Sequence, residues 1–113
     1  MTEQLITLIR DLKENTLPFN KVIEFIETIY QHQPTAFKNG GVYNEATQNQ
    51  GSAKVFAFAQ MNNLSAEDTL YLFAEHYQSV LDNPDGIDHQ NIRQFMVHGW
   101  AGVVFDREAL LLK

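Results

Sequence analysis

Apolar residues recur at helical spacing over most of this chain, and this periodicity is the strongest constraint on its fold. Near the N-terminus, two apolar stripes are separated by Asn15-Thr16-Leu17-Pro18, a segment that ends one helix and begins the next. Thr2 is placed to cap the first of these helices. The stripes consist of Leu5, Leu8, Ile9 and Leu12, then Phe19, Val22, Ile23, Ile26, Ile29 and Tyr30. Both helices are predicted to face a core.

Three further helices are predicted in the second half of the chain. Ser52, or Asn49 just before it, caps a third helix that is apolar almost all round and is therefore expected to be central. Ser65 caps a fourth helix, and Asp88 caps a fifth that stops at Gly99. The residues expected to be buried in the third, fourth and fifth helices include Val55, Phe56, Phe58, Ala59, Met61, Leu70, Phe73, Tyr77, Val80, Leu81, Ile92, Phe95 and Met96.

Two regions depart from the helical pattern. Pro34-Thr35-Ala36-Phe37 favours extended backbone, and Asn39-Gly40-Gly41 is typical of a turn. Two short apolar segments near the C-terminus are expected either to form a hairpin of their own or to join the earlier strands in one small sheet. They are Val103-Val104-Phe105 and Leu110-Leu111-Leu112. We therefore predict a mainly α (α+β) fold of about five helices, with a small antiparallel β element from residues near 35–44 and 103–112. The length of 113 residues fits one compact domain, 1–113.

Composition excludes several classes of function. The chain has no cysteine, which excludes disulfides and thiolate chemistry. Its net charge of −6 disfavours nucleic acid and anionic membranes as partners, since both attract concentrated positive charge. No apolar run is long enough to span a bilayer, and the first residues lack the pattern of a signal peptide. A cytoplasmic location is expected, and oligomeric state is left open.

Residues 89–102 hold two histidines, an arginine, an asparagine, two glycines and the single tryptophan. His89 and His98 lie nine positions apart, on roughly opposite faces of one helix, so they cannot share a metal ion from that helix. A metal site assembled across helices from His76, His98 and Glu45 stays an alternative, but buried or capping histidines are the favoured account, and the sequence predicts no metal and no cofactor. A structural role is favoured for both His98 and Trp100. His98 is a cation in the last helical turn, and Trp100, just after Gly99, packs onto the helix that Gly99 ends. In the functional alternative, His98 donates or accepts a proton and Trp100 forms the wall of a pocket.

A polar loop at residues 44–50 leads into the third helix, where Ser52 and Lys54 mark a helix start suited to a small anion. Arg93 is able to hold a carboxylate or phosphate, although pairing with an acid such as Asp88 is the simpler reading. For the cap, the loop and the lysine, ordinary solvated structure is the favoured interpretation, and a ligand site is the alternative. The candidate ligand-binding residues are Asn44, Glu45, Asn49, Ser52, Lys54, His76, Asn91, Arg93, His98 and Trp100.

Several motifs, in order along the chain, carry a family resemblance. They are Pro34-Thr35-Ala36-Phe37-Lys38-Asn39-Gly40, Gly51-Ser52-Ala53-Lys54-Val55-Phe56-Ala57-Phe58-Ala59, Leu72-Phe73-Ala74-Glu75-His76-Tyr77 and the Val103-Val104-Phe105 tail. From about Phe19 to Phe105, the chain resembles the HopJ type III effector protein family. The resemblance implies delivery into a host cell by type III secretion for some members. It brings no catalytic residue and no cofactor that can be placed on this sequence.

Two functions follow as hypotheses. The first is a binding or interaction role in the cytosol, or in a host cell for secreted members, with an unknown protein or a small polar ligand as partner. The second is a small enzyme or ligand sensor with a pocket formed by the 44–54 loop, His76, Arg93 and the His98–Trp100 corner. The second hypothesis requires these polar side chains to meet in one concavity. An interaction module instead presents an exposed apolar patch.

Overall fold

A computed structural model describes residues 2–113 and confirms the mainly α (α+β) fold. Six α-helices lie within these residues: α1 Glu3–Lys13, α2 Phe19–Ile29, α3 Gln50–Met61, α4 Ala66–Tyr71, α5 Glu75–Asp82 and α6 Gln90–His98. The strands are β1 Tyr30–His32, β2 Phe37–Asn39, β3 Val42–Asn44, β4 Val103–Phe105 and β5 Leu110–Leu112. A 3₁₀ segment, Gly99–Gly102, connects α6 to β4.

The helix caps predicted for the first and fourth helices are confirmed. The Thr2 hydroxyl accepts a hydrogen bond from the Leu5 N–H at 3.2 Å. The Ser65 hydroxyl accepts one from the Asp68 N–H at 3.1 Å, at the start of α4. Each hydroxyl satisfies an N–H group that has no partner within its own helix, and this fixes where the helix begins.

α3 is the central helix, as its apolar composition predicts. The Phe56 side chain is fully buried, and its ring lies against four other aromatic rings from different elements. The ring centroids lie 4.9 Å away for Phe95, 5.4 Å for Phe73, and 6.2 Å for both Phe37 and Trp100. Phe56 therefore joins β2, the α4–α5 connection, α6 and the 3₁₀ segment in one core.

The predicted fourth helix is in fact two helices, α4 and α5, separated at Leu72–Ala74. Ala74 has φ +51° and ψ −122°, a backbone conformation that no helix continues through. The break changes the direction of the chain, so the apolar stripe predicted for one straight helix does not stay on one face. Leu81, predicted to be buried, is exposed, as are Met61 and Met96 near the ends of α3 and α6.

The two predicted β regions form two separate antiparallel sheets. β2 pairs with both β3 and β4, which confirms that Val103–Phe105 joins the earlier strands. Leu110–Leu112 pairs instead with Tyr30–His32, a segment that the sequence did not identify as a strand. Tyr30 is apolar and continues the stripe of α2, but its extended backbone ends that helix and brings β1 beside β5.

His32 supplies a pH-dependent contribution to stability at this second sheet. Both of its ring nitrogens are buried and have no hydrogen-bond partner among residues 2–113. Burial, and then the nearby Lys54 cation, lower the pKa of His32 below its ordinary value of 6.5. The unfolded chain therefore binds a proton at a higher pH than the folded protein does. The contribution of the neutral His32 ring to the free energy of unfolding is complete above about pH 6.5, and it decreases as the pH falls towards the folded-state pKa of His32.

We expect His32→Gln to reduce the loss of stability between about pH 7.5 and about pH 5.5. Urea unfolding at both pH values measures this, with His98→Gln as the control because His98 is exposed. An unchanged pH dependence in His32→Gln would contradict the assignment.

No helix among residues 2–113 combines the length and the apolar composition needed to cross a membrane.

Candidate functional site

A cavity of about 350 Å³ lies where α3 and α6 begin. Its polar side comes from the two helix starts and from two histidines, and its apolar side comes from α2, β3, the α4–α5 connection and the first turn of α6. The polar group is Asn49, Gly51, Ser52, His76, His89, Gln90 and Asn91, and the apolar group is Phe19, Val42, Phe73 and Ile92. We call this cavity the α3–α6 pocket.

The helices α3 and α6 begin in the same unusual way. The residue before each helix, Asn49 or His89, has φ +51°, and neither side chain caps the helix that follows. A left-handed residue followed by helical ones turns successive N–H groups towards one side, an arrangement that attracts anions. Among residues 2–113, the N–H groups of Gln50, Gly51, Gln90 and Asn91 find no acceptor. Of these four residues, Gly51, Gln90 and Asn91 line the pocket, so both helix starts contribute free donors to it.

These starts correct two predicted caps. Asp88 does not cap α6, because its carboxylate is held 2.8 Å from the Arg93 guanidinium. The hydrogen bond to Arg93 lowers the pKa of Asp88. Ser52 lies inside α3 and cannot cap it, and the Asn49 side chain donates instead to Asn44 Oδ1 at 2.7 Å.

Two imidazoles lie side by side at the pocket. The ring centroids of His76 and His89 are 5.2 Å apart, and the His76 ring meets the Phe19 ring edge-on at 4.9 Å. Within residues 2–113, the pocket lining includes no Asp or Glu. The adjacent Glu75 carboxylate accepts a hydrogen bond from the Phe19 N–H at 2.7 Å, which ties it to the start of α2.

A buried network of asparagines holds the two helix starts together. Asn44 Oδ1 accepts hydrogen bonds from Asn49 Nδ2 at 2.7 Å and from Asn91 Nδ2 at 3.0 Å. Asn91 Oδ1 in turn accepts from Asn39 Nδ2 at 3.0 Å and from Asn44 Nδ2 at 3.2 Å. Asn39, Asn44 and Asn91 are all buried, so these amides depend on one another for partners. The network therefore fixes the spacing between the start of α3 and the start of α6.

The structure brings together four of the ten predicted site residues: Asn49, Ser52, His76 and Asn91 line the pocket. A fifth, Asn44, lies behind the lining and positions it. Sequence reasoning missed His89, Gln90 and Gly51, and also the apolar wall. A histidine and a glutamine directly before an apolar helical stripe were the available signal for the first two. No signal marked Phe19, Val42, Phe73 or Ile92, which read as ordinary core residues.

The other predicted site residues lie elsewhere. Arg93 binds the 83–88 turn through the carbonyl oxygens of Asn83, Pro84 and Asp88, at 3.0, 3.1 and 2.6 Å. The guanidinium of Arg93 therefore donates to backbone carbonyl oxygens and is not free to bind a ligand. Lys54 pairs with Glu27 at 3.0 Å.

The remaining three also fail to join the pocket. Trp100 packs on Phe95, and its indole N–H donates to the Leu64 carbonyl at 3.1 Å, which matches the structural reading. His98 is exposed beside Gly40, and Glu45 is exposed in the loop. Arg93, His98 and Glu45 thus do not converge with His76 in one concavity. The pocket predicted from the 44–54 loop, Arg93 and the His98–Trp100 corner is replaced by the α3–α6 pocket.

A metal site of three or more His, Asp or Glu ligands is not present within residues 2–113. The two imidazoles of the α3–α6 pocket have no carboxylate in the lining to complete such a set. The chemistry of the site is instead that of N–H donors around a partly apolar cavity.

Comparison with known proteins agrees with the resemblance seen in the sequence. The family model described as "HopJ type III effector protein" matches residues 4–110. A solved structure described as "Crystal structure of unknown function protein VPA0580" is 40% identical, with a TM-score of 0.88. That match covers 100% of this chain and 95% of the other. No curated protein matches the chain. Because the family model spans nearly the whole sequence, the chain belongs to the HopJ type III effector protein family.

Proposed function

We propose that this protein is a binding module for a small organic anion, a phosphate or carboxylate compound with an apolar body, held in the α3–α6 pocket. One observation carries the proposal. Two helices, each entered through a left-handed residue and left uncapped, direct free N–H groups at one cavity that also holds two imidazoles and no lining carboxylate.

The electrostatics of the pocket favour a negative ligand. The first turn of a helix carries a partial positive charge, and the starts of α3 and α6 add their fields at the same place. The chain as a whole has 14 acidic and 8 basic residues, but the described lining of this concavity has no acid. The two carboxylates beside it are held by other groups: Glu75 accepts from the Phe19 N–H, and Asp88, which is 3.9 Å from His89 Nε2, pairs with Arg93. An imidazole donates an N–H in either protonation state, so His76 and His89 extend the set of donors.

The dimensions and the apolar wall define the class of ligand. A volume of about 350 Å³ lies within the range of small-molecule sites. Phe19 and Val42, which are partly exposed, offer a surface for a carbon skeleton or an aromatic group, and the buried Phe73 and Ile92 lie behind them. The ligand we propose therefore has an anionic end at the helix starts and an apolar end against these side chains.

We propose that this binding takes place in the cytosol, or in a host cell for family members that are secreted. Family membership supports type III delivery as the route in the second case. The net charge of −6 supports a small anion held by local donors, rather than nucleic acid or an anionic membrane, as the partner.

Calorimetric titration with inorganic phosphate and with phenyl phosphate tests the proposal. We expect phenyl phosphate to bind more tightly than phosphate, because only phenyl phosphate reaches the apolar wall. His76→Gln and His89→Gln should each weaken binding about tenfold, since a flexible glutamine amide does not hold its N–H where the imidazole ring holds it.

Two variants serve as matched tests of this assignment. His98→Gln changes an exposed histidine outside the pocket and should leave affinity unchanged. Gly51→Ala places a methyl group 3.7 Å from the Phe19 ring, in ordinary contact, so it should preserve stability while reducing the space for the ligand. Absence of binding by the native chain, or equal losses in His98→Gln and His76→Gln, would overturn the proposal.

A further inference from the structure

The α3–α6 pocket contains two imidazoles, which are the only titratable side chains in its described lining. The ring centroids of His76 and His89 lie 5.2 Å apart. The other lining residues are apolar or carry neutral hydroxyl and amide groups, whichever helix or strand they come from. Since histidine is the side chain that titrates near neutral pH, any positive side-chain charge in the lining comes from these two rings.

The charged groups beside the imidazole pair lie outside the lining, and each already has a partner. The Glu75 carboxylate accepts a hydrogen bond from the Phe19 N–H at 2.7 Å. The Asp88 carboxylate lies 3.9 Å from His89 Nε2 and pairs with the Arg93 guanidinium at 2.8 Å. These carboxylates therefore leave two protonated rings without a counter-charge inside the pocket, and an anionic ligand is placed to supply it.

Repulsion between the two rings decides how strongly the charge of a ligand matters. Two imidazolium groups this close disfavour each other, and the pair titrates as one coupled unit. A bound anion offsets the repulsion and so favours a further proton on the pair, and a group with two negative charges does this more than a group with one. Because the ligand favours the proton, the proton favours the ligand, and affinity rises as the pH falls.

We propose that the His76–His89 pair makes the pocket selective for the doubly charged phosphate group of a monoester, which binds with net uptake of a proton from solvent. This inference rests on the proposed function and narrows its ligand class. A carboxylate or a sulfate ester carries one charge, so it gains less from a second protonated ring. A phosphate monoester has lost its second proton above about pH 6, so it enters the pocket as a dianion.

Calorimetric titration at about pH 7.5 with phenyl phosphate and with phenyl sulfate tests the selectivity. The two compounds share their aryl group and their tetrahedral shape, but they carry two charges and one. We expect phenyl phosphate to bind about tenfold more tightly. Titrations in buffers of different ionisation enthalpy should show uptake of about half a proton to one proton. The affinity should accordingly fall about three- to tenfold between about pH 7 and about pH 8.

A double variant, His76→Gln with His89→Asn, removes both titrating rings. Asparagine tolerates the left-handed backbone of residue 89, with φ +51°, so the start of α6 is kept. We expect this variant to lose the proton uptake and to bind phenyl phosphate and phenyl sulfate within about twofold of each other. His98→Gln, which changes an exposed histidine outside the pocket, should retain both the uptake and the selectivity.

The outcomes separate this inference from the proposed function. Equal affinity of the native chain for the two compounds, or binding of phenyl phosphate without proton uptake, would overturn the inference and leave the proposed function standing. Proton uptake that persists in the double variant would also overturn it, because the proton would then belong to another group. Binding of neither compound by the native chain would overturn both.

Discussion

Phe56→Ala should lower the free energy of unfolding by about 3–5 kcal/mol, the largest effect that we expect from a single substitution. The Phe56 side chain has no exposed surface, and its ring contacts four aromatic rings from elements that are distant in sequence. Removing the ring leaves a cavity that Phe37, Phe73, Phe95 and Trp100 cannot all move to fill. Against a total stability of about 5–15 kcal/mol for a domain of this kind, that loss threatens folding itself.

Thermal unfolding followed by circular dichroism measures the effect of Phe56→Ala. We expect the melting temperature to fall by about 10–25 °C. Tyr43→Ala is the matched control, since Tyr43 is an aromatic residue that is 59% exposed on β3 and contributes little to the core. Similar losses in the two variants would show that α3 does not organise the core as described.

Asn91→Leu should lower the free energy of unfolding by about 2–4 kcal/mol although leucine has nearly the same size. The substitution removes the acceptor shared by Asn39 and Asn44, and also the donor to Asn44 Oδ1. Asn39 keeps its bond to the Asn91 backbone carbonyl and Asn44 Oδ1 keeps the bond from Asn49, but each buried amide loses one hydrogen bond, so part of its desolvation is no longer compensated. Because Asn91 also lines the α3–α6 pocket, we expect affinity for phenyl phosphate to fall as well.

Urea unfolding of Asn91→Leu, with Asn20→Leu as the control, tests the role of this network. Asn20 is exposed on α2, where the same change should alter stability by less than about 0.5 kcal/mol. If Asn91→Leu is as stable as the native chain, the network does not hold the helix starts, and the geometry of the pocket needs another explanation.

The helical part of the fold was predictable because periodic apolar stripes and hydroxyl caps are local signals. Thr2 and Ser65 begin their helices as predicted, and Gly99, with φ +59°, ends α6. The break at Ala74 was not predictable, because alanine favours helix and the surrounding stripe continues across it. The β1–β5 pair was missed because its hydrogen bonds join segments that are far apart in sequence, and no local pattern shows such a pairing.

The candidate site was predictable only in part. Asn49, Ser52 and His76 were identified from their own chemistry, as polar residues at helix starts or as a titratable side chain. Arg93 was wrongly placed in the pocket because a guanidinium binds an anionic ligand or backbone carbonyl oxygens, and the sequence does not show which of the two is its partner. His89 was missed as a site residue because its role depends on a positive φ angle that histidine seldom adopts. Such a conformation is fixed by tertiary contacts, so the position of His89 just before an apolar helical stripe was the only sequence signal for its role.

The central claim is that the paired starts of α3 and α6 bind an anion, and amide chemical shifts test it most directly. In a ¹H–¹⁵N titration with phenyl phosphate, we predict that the largest changes occur at the Gly51, Gln90 and Asn91 amides. The same titration of His76→Gln should need a higher ligand concentration to produce them. Shifts that are absent at both helix starts, or that centre on Arg93 or His98 instead, would contradict the account.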